Sequence, residues 1–183
     1  MLVALLSPNR GEADRTMSAL ALRLEADGYR LSGLVQTNVA RAGRCRCDMV
    51  LRDLASGREL GISQDLGDGA RGCRLDYAAL ETAAGWVEAS ISPDIDVLLL
   101  NKFGRREAEG AGLRSAIVAA VGFDIPVIVG LAPENREAWD MFCGGAGEVL
   151  PVGQAPEVAV LLAPPRRAYL ATRCQIAQAS ETI

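Results

Sequence analysis

The stretch Asp96-Val97-Leu98-Leu99-Leu100-Asn101-Lys102-Phe103-Gly104 puts an acid, an unbroken apolar run, an amide and an ammonium in one line. An apolar run without alternation reads as a strand covered on both faces, and such strands belong in the middle of a parallel sheet. The residues at its carboxyl end then decide the chemistry. A carboxylate there can hold magnesium through water, whereas Asn101 and Lys102 supply no anionic ligand and attract anions instead.

Working outward, the same kind of signal recurs along the chain. Leu2 to Leu6 is a short apolar strand. It runs into Ser7-Pro8-Asn9-Arg10-Gly11, after which Met17, Leu20, Ala21 and Leu24 fall at helical spacing before Gly28. Tyr29 to Val39 reads as a second strand carrying Gln36, Thr37 and Asn38 at its far end. Met49 to Ile62 holds two short strands around Ala55-Ser56-Gly57-Arg58, an antiparallel hairpin inserted at about residues 46–63. The Gly-rich, charged stretch that follows, about residues 63–75, is too polar for a strand and is the longest expected loop.

Asp76 is placed to cap a helix running through Val87. Glu107 to Val121 reads as one further helix, Ile125 to Leu131 as a strand, Glu134 to Phe142 as a short helix and Glu148 to Pro151 as a last strand. Pro156 to Leu162 adds a final helical segment. Alternating strands and helices of this kind predict an α/β fold, a mostly parallel sheet with helices on both faces. Residues 1–165 are expected to form a single domain and 166–183 a C-terminal tail.

Composition narrows the function. With 183 residues, half of them hydrophobic, the chain can bury one sizeable core. A net charge of −4 with interspersed signs argues against broad binding to nucleic acid or to an anionic membrane, so an anion site needs local design. No apolar run reaches the roughly 20 residues of a membrane helix and no signal peptide is evident, so a cytoplasmic protein without membrane insertion is expected. Histidine is absent, which excludes Ser-His-Asp and Cys-His mechanisms. Five cysteines without an export signal suggest reduced thiols.

Ligands of open α/β sheets bind beyond the carboxyl ends of the strands. Three loops qualify: Ser7 to Thr16, Asn101 to Gly112, and Ala132 to Asn135. The first stands where a phosphate-binding loop would stand but does not match GxxxxGK(S/T); Ser7, Asn9, Arg10, Gly11, Arg15 and Thr16 are its candidate anion- or nucleotide-binding residues, against Glu12 and Asp14, which repel a polyphosphate. An ordinary strand-to-helix connection is the alternative. In the second loop Asn101, Lys102, Gly104 and Arg105 suit a tetrahedral oxyanion, unless Lys102 merely pairs with Glu107 or Glu109.

Ser63, Gln64 and Asp65 are candidates for a lid or a subunit contact, against a plain hairpin exit. Cys45, Cys47 and Cys73 are candidate thiolate ligands for zinc or another soft metal, against small buried thiols or a reactive surface pair.

Several motifs together carry a resemblance. Cys47-Asp48-Met49 with Leu51-Arg52-Asp53-Leu54, Ser63-Gln64-Asp65-Leu66-Gly67, Gly72-Cys73-Arg74-Leu75-Asp76, and Asn101-Lys102-Phe103-Gly104 with Glu107-Ala108-Glu109-Gly110 resemble a bacterial family of unknown function encoded beside molybdate ABC transporters. The order of elements is distantly similar to P-loop nucleoside triphosphatases of the thermophilic type. The resemblance covers roughly Leu2 to Leu150 and implies a P-loop NTPase-like fold with degenerate Walker motifs.

It also implies a place in molybdenum homeostasis. The expected function is a noncatalytic oxyanion-binding protein whose ligand, a small inorganic anion, is molybdate. A divergent nucleoside triphosphatase taking a nucleotide with magnesium is the first alternative, and a cysteine-based metal or redox protein the second. A homo-oligomer is compatible with each.

Overall fold

A computed structural model describes residues 1–9, 11–40, 47–64 and 74–165 of the chain. Seven strands form one sheet: β1 (Leu2–Leu6), β2 (Leu31–Val39), β3 (Asp48–Asp53), β4 (Glu59–Gly61), β5 (Val97–Phe103), β6 (Val127–Leu131) and β7 (Glu148–Pro151), in the order β4-β3-β2-β5-β6-β1-β7. The five strands from β2 to β7 in that order are parallel, while β3 and β4 add antiparallel to the β2 edge. The α/β architecture with its antiparallel hairpin is therefore the observed one.

Helices cover both faces. On one, α1 (Glu12–Ala26) lays Met17, Leu20 and Leu24 against Val3, Leu5, Val97, Leu99 and Ile128, and α6 (Ala155–Leu161) adds Val158. On the other, α2 (Tyr77–Ser90), α4 (Arg114–Gly122) and α5 (Arg136–Cys143) bury Ala84, Val87, Ile117, Ala120 and Trp139 against Leu98, Leu100, Val127 and Val129. Even and odd residues of β5 thus go to opposite cores, the arrangement that its unbroken apolar run requires.

Local signals explain the boundaries. Asp76 caps α2, accepting from the Ala78 and Ala79 backbone N–H groups at 3.0 and 3.1 Å. The single helix expected from Glu107 to Val121 is instead two, α3 (Arg105–Ala108) and α4, because Gly110 and Gly112 take φ of 96° and 60° between them. The Glu107 carboxylate replaces the lost continuity, accepting from the Gly104 N–H at 2.9 Å and the Leu113 N–H at 3.1 Å.

The path of the chain sets where a ligand can lie. From β1 it leaps over β6 and β5 to β2, then fills back through β5 and β6 and ends on the far side of β1. The α1 crossover starts at the carboxyl end of β1 and packs across one face over β6, β5 and β2, and Asp14 in its first turn reaches the carboxyl ends of β5 and β2.

Candidate functional site

Asp14, in the first turn of α1, is buried at 5% exposure and collects the polar groups of two strand ends. Its Oδ1 accepts from Asn101 Nδ2 at 3.0 Å and lies 3.5 Å from Lys102 Nζ. Its Oδ2 accepts from Asn38 Nδ2 at 2.8 Å and Gln36 Nε2 at 3.3 Å. Three amides and an ammonium thus surround one carboxylate and give both of its oxygens partners.

The backbone of β5 makes this convergence feasible. Its register against β6 shifts between Leu100 and Phe103, a bulge holding Asn101 and Lys102. In a regular strand consecutive side chains point to opposite faces; the bulge re-aims them so that both reach Asp14. Gly130 on β6 allows it, since a Cβ there would stand 2.1 Å from the Asn101 carbonyl oxygen.

Lys102 therefore does not pair with Glu107 or Glu109, the alternative raised by its sequence neighbours. Glu107 caps the start of α3 and α4, and Glu109 binds Arg105 at 2.6 Å, a contact that raises the arginine pKa. The Lys102 side chain stays 55% exposed, and an ammonium in contact with one carboxylate oxygen keeps further donors for a ligand.

At the start of the first loop, Ser7, Asn9 and Glu12 bond to one another. Ser7 Oγ donates to Glu12 Oε2 at 2.7 Å and Asn9 Nδ2 donates to the same oxygen at 3.0 Å. Those hydrogen bonds, from Ser7 first and Asn9 second, lower the Glu12 pKa. Because α1 opens at Glu12 directly after Gly11, counting Gly11 as the last glycine of GxxxxGK(S/T) puts Glu12 at the lysine position and Ala13 at the hydroxyl position. Charge is reversed where a P-loop needs it positive. Arg15 is exposed and Thr16 half-buried, and Arg10 lies outside the described residues.

The family model described as "Protein of unknown function (DUF2478)" matches residues 2–158. The chain belongs to the DUF2478 family. It is also similar to the molybdenum import ATP-binding protein ModC 2 of Bradyrhizobium diazoefficiens, 37% identical over 147 residues, which are 80% of this chain and 16% of that protein. The chain thus spans about a sixth of that relative's length. No solved structure matches it.

In this DUF2478 chain the remaining candidates divide. Ser63 pairs with Leu75 in an isolated bridge and its Oγ accepts from the Met49 N–H at 2.8 Å; the Gln64 N–H donates to the Arg74 carbonyl at 2.6 Å. These two residues tie positions 63–64 to positions 74–75, and Arg74 also binds Asp48 at 2.9 Å. Asp65 lies outside the described residues. Of the thiols, Cys47 is exposed, while Cys45 and Cys73 lie outside the described residues. Among the described residues no group of three or more metal-ligating side chains converges.

Asp14, Gln36 and Asn38 are the site residues that sequence reading misses. The signal was partial: amides at alternate positions on the end of β2 and an acid in the first turn of α1, each visible, but the contact between them spans 22 to 24 residues.

Proposed function

We propose that this chain is a non-hydrolysing binding domain of P-loop-like topology, acting in the cytoplasm, that takes a tetrahedral oxyanion, molybdate, at Lys102. The observation that carries the reading is the placement of the Lys102 ammonium at the carboxyl end of β5, half-exposed and 3.5 Å from Asp14 Oδ1. Gly104 and Arg105 follow it directly at the rim. The exposed part of the ammonium keeps N–H donors free for an anion.

Hydrolysis finds no support in the same geometry. Glu12 stands at the lysine position of the first loop, and Asn101 and Lys102 stand where a metal-holding acid belongs, so a transferring phosphoryl group would lack its main electrostatic stabilisers. The Bradyrhizobium relative is named for molybdenum import, which supports molybdate over other oxyanions. A stretch with no P-loop lysine fits an accessory segment of such a protein better than its ATP-binding part. The resemblance to a family encoded beside molybdate transporters agrees.

Isothermal calorimetry of the full chain with molybdate, tungstate and sulfate tests this. Molybdate is expected to give binding heat that is lost in Lys102→Ala; no heat with any of the three anions overturns the reading.

A further inference from the structure

Of the chain's 19 Lys and Arg residues only Lys102 is a lysine. Every other cationic side chain is a guanidinium. The exception falls on the side chain at the carboxyl end of β5 that reaches Asp14. Beside a carboxylate the two cations are not interchangeable. An ammonium is a compact charge whose donors turn about the last bond of the side chain, whereas a guanidinium is a planar fork that matches a carboxylate with paired donors.

The arginines of this chain engage carboxylates across both oxygens. Arg52 Nη2 reaches the two oxygens of Glu25 at 3.3 and 3.4 Å, and Arg136 Nε the two oxygens of Asp140 at 3.1 and 2.9 Å. Lys102 behaves differently. Its Nζ lies 3.5 Å from Asp14 Oδ1, the oxygen to which Asn101 Nδ2 already donates at 3.0 Å, while Asn38 and Gln36 donate to Oδ2. Contact with one shared oxygen leaves the ammonium with further N–H donors, and the side chain is 55% exposed against 7% for Asp14. A guanidinium at position 102 would meet a buried carboxylate within reach. Its fork would settle on Asp14, and the remaining donors would lie in a plane set by that pairing and not by an anion.

We infer that the anion site requires lysine at position 102: the ammonium is shared between Asp14 and the bound oxyanion, and an arginine in its place is captured by Asp14, which closes the site. The requirement is for donor geometry at equal charge. This deepens the anion-binding reading and rests on it.

Calorimetry of the full chain with molybdate, on the parent, Lys102→Arg, Asp14→Asn and the variant carrying both changes, tests it. The parent is expected to bind. Lys102→Arg keeps the charge and is expected to weaken binding by roughly tenfold or more, with an unfolding midpoint in urea no lower than that of the parent. Asp14→Asn removes a repelling charge in either background, but beside arginine it also releases the fork, so its gain in affinity is expected to be larger with arginine at 102 than with lysine. No molybdate heat with the parent sinks the anion-binding reading and the inference with it. Parent binding matched by Lys102→Arg leaves that reading standing and overturns the lysine requirement alone. A gain from Asp14→Asn no larger beside arginine than beside lysine overturns capture by Asp14.

Discussion

Asp14 Oδ1 accepts a hydrogen bond from Asn101 Nδ2 at 3.0 Å across 87 residues of chain, and the Lys102 ammonium stands 3.5 Å from the same oxygen. This contact joins the first turn of α1 to the bulge at the end of β5 and makes Asp14 both a structural hub and a competitor for any anion at Lys102. The two roles pull apart in one variant. In Asp14→Asn the amide donors of Gln36, Asn38 and Asn101 lose a charged acceptor, and stability is expected to fall by about 2 kcal/mol. A carboxylate some 6 Å from a bound anion repels it, so its removal is expected to tighten molybdate roughly tenfold after solvent screening. Urea unfolding and calorimetry on the same protein read both, and unchanged or weaker binding contradicts the competitor role.

Lys102→Ala is expected to behave in the opposite way. More than half of the side chain is exposed, and pairs of that kind contribute about 0–1 kcal/mol, so the thermal midpoint should move little. Anion affinity should be lost. A large fall in stability with binding retained would mean that Lys102 serves only the Asp14 cluster.

Much of this frame is legible in the chain itself. Val97 to Leu100 and Val127 to Leu131 are short apolar runs without alternation, as a strand covered on both faces requires, and Asp76 marks the start of α2 by its residue type. The break between α3 and α4 is less visible, because Gly110 and Gly112 interrupt a run whose flanking residues keep helical spacing; what decides it is the positive φ at both and the capture of two backbone N–H groups by Glu107. The Asp14 cluster is visible only as separate residues, not as a contact. It depends on a register shift in β5 and on the path of α1 across the sheet, and neither leaves a local pattern. Hence Lys102 is found by its position at a strand end, while its true partner is not.

Gly130→Ala tests whether the bulge needs its neighbour's missing side chain. The added Cβ would lie 2.1 Å from the Asn101 carbonyl oxygen, which is backbone and cannot swing away. Overpacking of this kind is expected to cost about 3 kcal/mol and to displace Asn101 from Asp14. Denaturant unfolding measures the first effect, and loss of anion binding by the residual folded protein measures the second. A variant as stable as the parent would place the bulge elsewhere.

Glu12 gives the first loop a pH signature. Its pKa is lowered from 4.5 by the hydrogen bonds from Ser7 and Asn9, so the folded state prefers the carboxylate. A depressed carboxyl contributes stability that is present above the unfolded pKa and lost as pH falls through the folded value. The difference in thermal midpoint between the parent and Glu12→Gln should therefore be constant above about pH 5 and shrink as the pH falls below about 4.5. A difference independent of pH across that window would show that the carboxylate is not held.

Cys143 supplies a last prediction, at the opposite end of the pH range. Burial first, and the nearby Asp140 charge second, push its thiol pKa from 9.0 to about 11. The native state then keeps a proton that the unfolded state releases, so this thiol's contribution to stability declines as pH rises from 9.0 through about 11. Reactivity follows the thiolate population. At pH 8 a rise of two units removes roughly 99% of the thiolate, and because the more basic thiolate is intrinsically more nucleophilic, the net slowing is about tenfold. Iodoacetamide labelling followed by peptide mass spectrometry should find Cys47, which is exposed, modified at least about tenfold faster than Cys143. The Cys143 rate should climb steadily up to about pH 11, whereas a plateau near pH 9 would mean that the thiol meets water.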